Sequence, residues 1–282
     1  MTIEKIVAEA LAEDIGNGDH SSLLSVDVEA KGVAQLIAKE DGIIAGMTVG
    51  THVFKRVDEG LTVEHFVQDG AAVHKGTVLM RVSGNIRSIL GAERLVLNLM
   101  QRMSGIATVT HRYCQLIAGT HARLLDTRKT TPNMRILEKM AVRTGGGCNH
   151  RMGLYDMIML KDNHIDFAGG IENAIKKASE YKELNRLSIP IEIETRSLSD
   201  VEEVIKWGGV NRIMFDNFSV EDVRRGVELV NGCFETEASG NINEQTIRDY
   251  AETGVDFISV GALTHSVKSL DISLLAVKGN GE

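Results

Sequence analysis

The segment RIMFDNFSVEDVRRGVELVNGCFETEA (residues 212–238) contains the pattern from which the architecture of the chain can be predicted. A short apolar run at 212–216 precedes an amphipathic segment at 219–230, and a second short run follows at 233–238. A strand, a helix and a second strand in this order predict two parallel strands joined by a right-handed crossover.

The same alternation extends from residue 122 towards the end of the chain. Apolar runs occur at 122–127, 157–161, 189–194, 212–216, 233–238 and 256–261. Helical patterns separate them at 132–143, about 169–184, 198–206, 219–230 and 243–252, and Thr131 before Pro132 is typical of a helix cap. Six strands that alternate with helices, with no GxGxxG turn after the first, favour a β/α barrel over a dinucleotide-binding sheet.

Residues 30–84 follow a different pattern. Short runs cut by Asp-Gly and Lys-Gly turns predict an antiparallel sheet, and 47–57 predicts a helix between its strands. From Asn85 to about Thr120 the apolar residues recur at helical spacing, which predicts one long helix or two consecutive ones with Met100 and Met103 in the core.

Composition excludes several classes of protein. The chain is 43% hydrophobic and 25% charged, which argues against disorder. Cys114, Cys148 and Cys233 are far apart without metal-ligand spacing, so we expect reduced thiols in a cytoplasmic protein. Residues 1–14 predict an acidic amphipathic helix without the apolar region of a signal peptide, and no apolar stretch is long enough to span a membrane.

Positive charge is concentrated in one window. The formal net charge is -8, yet residues 128–161 carry seven cations against two anions: Arg128, Lys129, Arg135, Lys139, Arg143, Arg151 and Lys161. The window is therefore about +5 and the remainder about -13, a distribution that predicts a pocket for a small polyanion and no nucleic-acid surface. Within it, Arg135, Lys139 and Arg143 share one helix face, which is more typical of a solvated stripe than of a site.

Charged residues also mark the ends of the apolar runs, where a β/α barrel builds its active site. Five of the six runs end in charged residues: Asp126 with Arg128 and Lys129, Lys161, Glu192 with Glu194, Asp216, and Glu235 with Glu237. The sixth ends in Ser259 and Gly261. Carboxylates on neighbouring strand ends are suited to Mg²⁺, and cations to phosphates or carboxylates. The pattern predicts magnesium-dependent group transfer on an anionic metabolite.

Several long motifs resemble the quinolinate phosphoribosyltransferases, also called carboxylating nicotinate-nucleotide pyrophosphorylases. The barrel half contains TRKTTP, EKMAVRTGGGCNHRMGLYDMIMLKDNHI, IEIE, FDN and VGALTHS. The first half contains EDIGNGDHSS, EDGIIAG and GAERLVLNLMQRMSGIAT, so the resemblance covers nearly the whole chain. It implies a small N-terminal α/β sandwich with a connecting helix over 1–109 and an incomplete α/β barrel of six to seven strands over 110–282. This division allows the N-terminal helix and the C-terminal tail to pack across the boundary.

The resemblance also implies an activity and its residues. Quinolinate and phosphoribosyl pyrophosphate would give nicotinate mononucleotide, pyrophosphate and CO₂, with Mg²⁺, in NAD biosynthesis. Quinolinate binding falls on Thr127, Arg128, His150, Arg151 and Lys161, with Arg94 from a neighbouring subunit of a dimer or hexamer. The phosphoribosyl and metal side falls on Lys129, Lys161, Glu194 and Asp216, and the phosphate loops on Ser239, Gly240, Asn241, Ser259, Val260 and Gly261.

Four residues depart from the family pattern, and the choice of the metal-side carboxylate stays open. Thr195 and Arg196 stand where a more acidic stretch is common, and Asn241 and Asn133 stand where glycine is frequent. Glu192 and Glu194 share one face of a strand, so either could be the metal-side carboxylate, and Glu194 is preferred because it ends the run.

Two other functions are compatible with the fold: a paralogous pyrophosphorylase-like enzyme with another substrate, and a non-catalytic phosphate-binding protein. The full set of dicarboxylate-binding residues argues against the first. The charged strand ends argue against the second.

Overall fold

The computed structural model describes residues 1–277. Its helices are α1 (Ile3–Ile15), α2 (His20–Ser25), α3 (Met47–Val57), α4 (Ile86–Leu116), α5 (Arg135–Thr144), α6 (Asp162–Ala168), α7 (Ile171–Leu184), α8 (Leu198–Trp207), α9 (Val220–Val230), α10 (Ile247–Ala251) and α11 (Ala262–His265). Its strands are β1 (Lys31–Ala38), β2 (Gly42–Ile43), β3 (Thr62–His65), β4 (Ala72–Val73), β5 (Val78–Asn85), β6 (Arg123–Leu125), β7 (Ile158–Leu160), β8 (Ile191–Thr195), β9 (Arg212–Asp216), β10 (Glu235–Ser239), β11 (Phe257–Ser259) and β12 (Ile272–Ala276).

Residue contacts divide the chain into two compact units. The first contains Met1–His111, Thr130–Gly146 and the described residues from Leu263 onward, and the second contains Arg112–Lys129 and Gly147–Ala262. The boundary between residues 109 and 110 remains a prediction, because these units group the chain by packing and bring two later segments into the first.

The first unit is built on an antiparallel sheet with strand order β12-β1-β5-β3. The C-terminal strand pairs with β1, so the end of the described chain packs onto the N-terminal sheet. Helices α3 and α4 approach closely at Gly50, where a Cβ would lie 2.8 Å from Met100 Sδ. Met100 and Met103 are buried, which confirms their predicted place in the core.

A buried ion pair ties the segment 130–146 into the first unit. Arg102 Nη2 lies 2.9 Å from Glu138 Oε1, and the Glu138 side chain is 1% exposed. The other oxygen of Glu138 accepts the backbone N–H of Thr131 at 3.0 Å. One carboxylate therefore holds both the long helix and the turn that precedes α5.

The second unit contains six parallel strands in the order β6-β11-β10-β9-β8-β7. Each strand arises from one of the six predicted apolar runs. The first two strands along the chain, β6 and β7, lie at opposite ends of this order. The sheet therefore has two edges within the described residues, as an incomplete barrel does. The predicted fold class, a small antiparallel α/β region followed by an incomplete α/β barrel, is confirmed.

Some local predictions were wrong. Helix α5 begins at Arg135 with Met134 as its N-cap, and Thr131 does not cap it. The reason is Asn133, whose φ of 64° is left-handed and cannot continue a helix. Lys139 is 1% exposed, so the face of α5 that contains it is not a solvated stripe. Helix α6 was not predicted.

None of the helices within residues 1–277 combines the length and the apolar character that crossing a membrane requires.

Candidate active site

The carboxyl ends of the six parallel strands carry most of the predicted site residues. Thr127–Lys129 follow β6, Lys161 follows β7, Glu194 lies near the end of β8, and Asp216, Ser239 and Ser259 are the last residues of β9, β10 and β11. Neighbouring ends are in register, since Ser239 pairs with Asp216 and Ser259 with Leu125. Because parallel strands point the same way, these residues lie along the carboxyl-terminal ends of the strands in the second unit. We call this line of strand ends the edge of the site.

Not every predicted end residue lies at that edge. Glu235 is the first residue of β10, at the opposite end of the strand, and its carboxylate accepts from Arg212 Nη2 at 2.9 Å. Glu237 lies in the middle of β10 and Glu192 near the start of β8. The prediction that Glu235 and Glu237 end their strand was wrong, because the strand continues to Ser239.

Glu192 and Glu237 instead form a buried charged cluster with His150 and Arg212, which we call the inner cluster. His150 Nε2 lies 3.0 Å from Glu192 Oε2 and 3.5 Å from Glu237 Oε2. Arg212 Nη1 lies 2.9 Å from Glu237 Oε2, and both carboxylate side chains are fully buried. Burial of charge is costly unless it is paired, so this cluster needs all its members.

The inner cluster shifts the pKa values of its members. Burial acts to lower the pKa of His150, but hydrogen bonds and charges from Glu192 and Glu237 raise it to about 9. Burial and the charge of Glu237 raise the pKa of Glu192 to about 7. Although burial opposes it, His150 and Arg212 hold the pKa of Glu237 below its usual value. The two carboxylates therefore favour a protonated ring, whereas the N–H of Arg151, which donates to Nδ1 at 2.7 Å, requires a ring with no proton on Nδ1.

A second buried acid places His150. Asp126 follows β6 and is fully buried. Its Oδ1 accepts the backbone N–H of His150 at 2.8 Å and its Oδ2 accepts Asn149 Nδ2 at 2.6 Å. An isolated parallel bridge joins Leu125 to Cys148 beside this contact. Asp126 therefore holds the loop with the predicted quinolinate residues against the end of β6.

The cationic side of the edge carries two arginines. Arg151 is 9% exposed, and its Nη1 donates to the carbonyl of Met157 at 3.2 Å. Burial lowers the pKa of Arg151, and the positive charge of Arg128 lowers it further, so the two guanidinium groups are close enough to repel each other. An anion bound between them would relieve this repulsion.

Lys161 and Glu194 meet across the ends of β7 and β8. Their Nζ and Oε1 atoms are in direct contact, and the lysine side chain is 43% exposed against 12% for the glutamate. His164 Nδ1 accepts the backbone N–H of Lys161 at 3.0 Å, which fixes the start of α6. Lys161 thus reaches the edge already paired with a carboxylate.

The loop after β10 presents backbone suited to phosphate, whereas after β11 Val260 is 2% exposed and its N–H donates to the carbonyl of Leu125 at 3.0 Å. Gly240 has φ 101° and Asn241 has φ 51°, both left-handed. Asn133, the other position where the family often has glycine, has φ 64°. Asparagine tolerates this conformation better than most residues, which accounts for both departures.

Two sets of donors could hold a cation. Among residues 1–277, His150, Glu192 and Glu237 form one group whose donor atoms lie within 4.8 Å of one another. That group is buried and compensated by Arg212. Glu194 and Asp216 offer only carboxylate oxygens at neighbouring strand ends, a donor set that fits Mg²⁺ with substrate phosphates completing its shell. Glu194 therefore stays the predicted metal-side residue.

Arg94 lies outside the second unit. It is exposed on α4 in the first unit, and within residues 1–277 it makes no hydrogen bond or ion pair.

Sequence reasoning did not identify the roles of Asp126, Arg212 or Glu237. Asp126, directly after Leu-Leu at the end of an apolar run, carried the clearest signal of the three.

Comparisons with known proteins agree along the whole chain. The family models "Quinolinate phosphoribosyl transferase, N-terminal domain" and "C-terminal domain" match residues 19–104 and 106–275. The chain is 48% identical to the chloroplastic nicotinate-nucleotide pyrophosphorylase [carboxylating] of Oryza sativa subsp. japonica, over 96% of this chain and 77% of that protein. It is 43% identical to the probable nicotinate-nucleotide pyrophosphorylase [carboxylating] of Bacillus subtilis (strain 168), over 97% and 93%. The crystal structure of NadC from Streptococcus pyogenes superposes with a TM-score of 0.92 at 39% identity, over 98% and 97%.

Proposed function

Because the chain belongs to the quinolinate phosphoribosyltransferase family, we propose that it transfers the phosphoribosyl group of phosphoribosyl pyrophosphate to quinolinate with decarboxylation. The products are nicotinate mononucleotide, pyrophosphate and CO₂, and the reaction belongs to NAD biosynthesis. The observation that carries this proposal is the edge of the parallel sheet, which sets cations after β6 and β7 and carboxylates at β8 and β9.

The cationic side suits a dicarboxylate. Arg128 and Arg151 repel each other in the absence of an anion, and arginine binds carboxylates in a bidentate fashion. Thr127, His150 and Lys161 complete the proposed quinolinate residues. Each charged hydrogen bond to a carboxylate contributes roughly 1.5–3 kcal/mol, so two arginines distinguish quinolinate from a pyridine with one carboxylate.

The other side suits the phosphoribosyl donor. Lys129 and Lys161 would bind the pyrophosphate, and the left-handed backbone at Gly240 and Asn241 with the loop 259–261 would cradle phosphate oxygens. Glu194 and Asp216 would hold Mg²⁺, and the bound ion would neutralise part of the negative charge of the pyrophosphate.

The bond changes follow from this arrangement. The ring nitrogen of quinolinate forms a bond to C1′ while the bond from C1′ to the pyrophosphate oxygen breaks. Lys129 and Lys161 stabilise the negative charge of the leaving group, and Glu194 and Asp216 stabilise the cationic ribose. The bond between C2 and its carboxylate then breaks, CO₂ leaves, and the electron pair remains on C2 beside the pyridinium nitrogen. A proton replaces the carboxylate.

Assembly and location are part of the proposal. We assign a homodimer or higher homo-oligomer in which Arg94 of one subunit enters the site of its neighbour. Its exposure on α4 and its lack of a bonded partner within residues 1–277 support this. The three free cysteines support a reducing compartment such as the cytoplasm.

The test is turnover by the purified protein. With phosphoribosyl pyrophosphate and Mg²⁺ it should release CO₂ from quinolinate and form nicotinate mononucleotide, and nicotinate in place of quinolinate should give no product. A folded protein that uses nicotinate but not quinolinate would be a paralogue with another substrate. A protein that binds phosphoribosyl pyrophosphate without turnover would be a phosphate-binding protein. Either result would contradict the proposed function.

A further inference from the structure

The turn between β9 and α9 joins two parts of the proposed phosphoribosyl site through one side chain. Asn217 Nδ2 donates to Asp216 Oδ2 at 3.0 Å. Asn217 Oδ1 accepts from Asn241 Nδ2 at 3.2 Å. Because an ionised carboxylate only accepts hydrogen bonds, the amide nitrogen must face Asp216, which leaves the amide oxygen for Asn241.

The backbone of the same residue holds the neighbouring loop. Asn217 N donates to the carbonyl of Ser239 at 2.8 Å. Gly240 packs against the amide: a Cβ there would overlap Asn217 Oδ1 and would lie 2.9 Å from Asn217 N. Residues 239–241 therefore sit directly on Asn217.

The turn is anchored from both sides, so the amide has little freedom. Phe218 is buried with its ring centroid 5.4 Å from that of Phe215, and its carbonyl accepts the Tyr250 hydroxyl at 2.8 Å. Ser219 caps α9 through the N–H of Asp222. Asn217 itself has φ 57°, a left-handed conformation held between a strand end and a helix cap.

We propose that Asn217 is a positioning residue that holds the Asp216 carboxylate and the 239–241 loop in one geometry, so that both meet the same phosphoribosyl pyrophosphate molecule. This rests on the proposed function for the identity of the ligand. It assigns a role to the third residue of the FDN motif, whose side chain is placed to touch Asp216 and the loop.

Replacement by glycine separates the amide from the backbone conformation. Asn217→Gly keeps the left-handed φ at no steric cost and removes both side-chain hydrogen bonds. We expect phosphoribosyl pyrophosphate to bind about 10- to 100-fold more weakly, as the loss of two hydrogen bonds, one of them to a charged group, predicts. Quinolinate affinity and the thermal midpoint should stay near the wild-type values.

Two further variants sharpen the test. Asn217→Asp keeps an oxygen for Asn241 but places a second carboxylate beside Asp216, so its loss of phosphoribosyl pyrophosphate affinity should exceed that of the glycine variant. Asn231→Gly is the matched control, since Asn231 also has a left-handed φ, 45°, at the exposed C-cap of α9. It should bind both ligands as the wild type does.

Calorimetric titration of phosphoribosyl pyrophosphate with Mg²⁺, and separately of quinolinate, gives the result without turnover. The inference is overturned if Asn217→Gly binds phosphoribosyl pyrophosphate within about twofold of wild type. It is also overturned if both ligands weaken equally while the thermal midpoint falls, because that is a merely structural effect. Failure of the wild type to convert quinolinate would contradict the proposed function and would leave this binding comparison intact.

Discussion

Glu192→Gln should flatten the dependence of stability on pH. In the wild type, Glu192 and Glu237 raise the pKa of His150 from 6.5 to about 9. Because the folded-state pKa is raised, the contribution to stability is fully present below pH 6.5 and is lost as the pH rises through 9. Between pH 7 and pH 9 this loss amounts to about 2 kcal/mol, at about 1.4 kcal/mol per pKa unit.

The variant removes the closer carboxylate, 3.0 Å from His150 Nε2. An opposite charge at this distance typically shifts a pKa by about 1–3 units, so the pKa of His150 should fall to about 7. The loss of stability between pH 7 and pH 9 should then be below about 0.5 kcal/mol. Glu192 also titrates, with its pKa raised from 4.5 to about 7. The stability that its protonated form contributes is lost mostly as the pH rises from 4.5 to 7, below the window from pH 7 to pH 9.

Urea unfolding at pH 7 and pH 9 measures the difference, and the ring resonances of His150 in an NMR titration report its pKa directly. Glu202→Gln, on the exposed face of α8, is the matched control and should follow the wild type at both pH values. Equal losses in wild type and Glu192→Gln would refute the reasoning. They would mean that the Arg151 N–H keeps the ring neutral through its contact with Nδ1.

Four further predictions concern single side chains. Arg151→Ala should weaken quinolinate binding by about 10- to 100-fold in calorimetry, with phosphoribosyl pyrophosphate affinity unchanged, because one charged contact is lost. Asp216→Asn should lower kcat and require more Mg²⁺ for half-maximal rate in a metal titration, because one of the two proposed carboxylate ligands is lost. Arg94→Ala and Lys129→Ala proteins should each be nearly inactive, and activity should return when their subunits exchange, because one site then has both groups. Glu138→Ala should lower the free energy of unfolding by about 3 kcal/mol in urea, because it removes the buried carboxylate that pairs with Arg102 and leaves the N–H of Thr131 without its acceptor.

Each of these has a result that would contradict it. Quinolinate affinity that survives the loss of Arg151 would move the dicarboxylate pocket elsewhere, and an unchanged metal response would remove Asp216 from the metal side. Inactive mixtures, with exchange demonstrated, would exclude Arg94 from the neighbouring site. For Glu138 the control is Glu9→Ala in the exposed Lys5–Glu9 pair, which should cost little. Equal costs would mean that burial of Glu138 adds nothing.

The parallel sheet was predictable because its strands are short and buried on both faces. Such strands appear in sequence as apolar runs, and each of the six runs from residue 122 onward became a strand of the parallel sheet. Helix α6, seven residues in DNHIDFA, is too short for its periodicity to be recognised. The start of α5 was missed because the left-handed conformation of Asn133 has no reliable signal beyond the residue type.

The position of the candidate residues at the strand ends was predictable, and the buried groups beside them were not. Motifs identified Arg151, Lys161 and Asp216, since local sequence carries them. Arg212 and Glu237 belong to different strands and meet only after the sheet has formed, so no local pattern reveals their pairing. Glu237 was wrongly predicted to end its strand for the same reason. The sequence ETE does not distinguish Glu235 from Glu237 until their partners in the sheet are known.

A pocket that gathers cations for an anionic substrate must also be stable before the substrate arrives. The second unit meets this need with carboxylates of its own. Glu194 pairs with Lys161 at the edge, and Glu192 and Glu237 lie beneath His150. The two sets differ in what binding does to them. Glu192 and Glu237 are fully buried and stay with their partners, so they fix the ring in place. The Lys161–Glu194 pair is partly exposed, so a phosphate that takes Lys161 as its partner would release Glu194 towards a metal ion or the ribose. The contribution of Lys161 to substrate affinity is then the difference in free energy between its pairing with a phosphate and its pairing with Glu194. This explains how one residue can serve both halves of the proposed site.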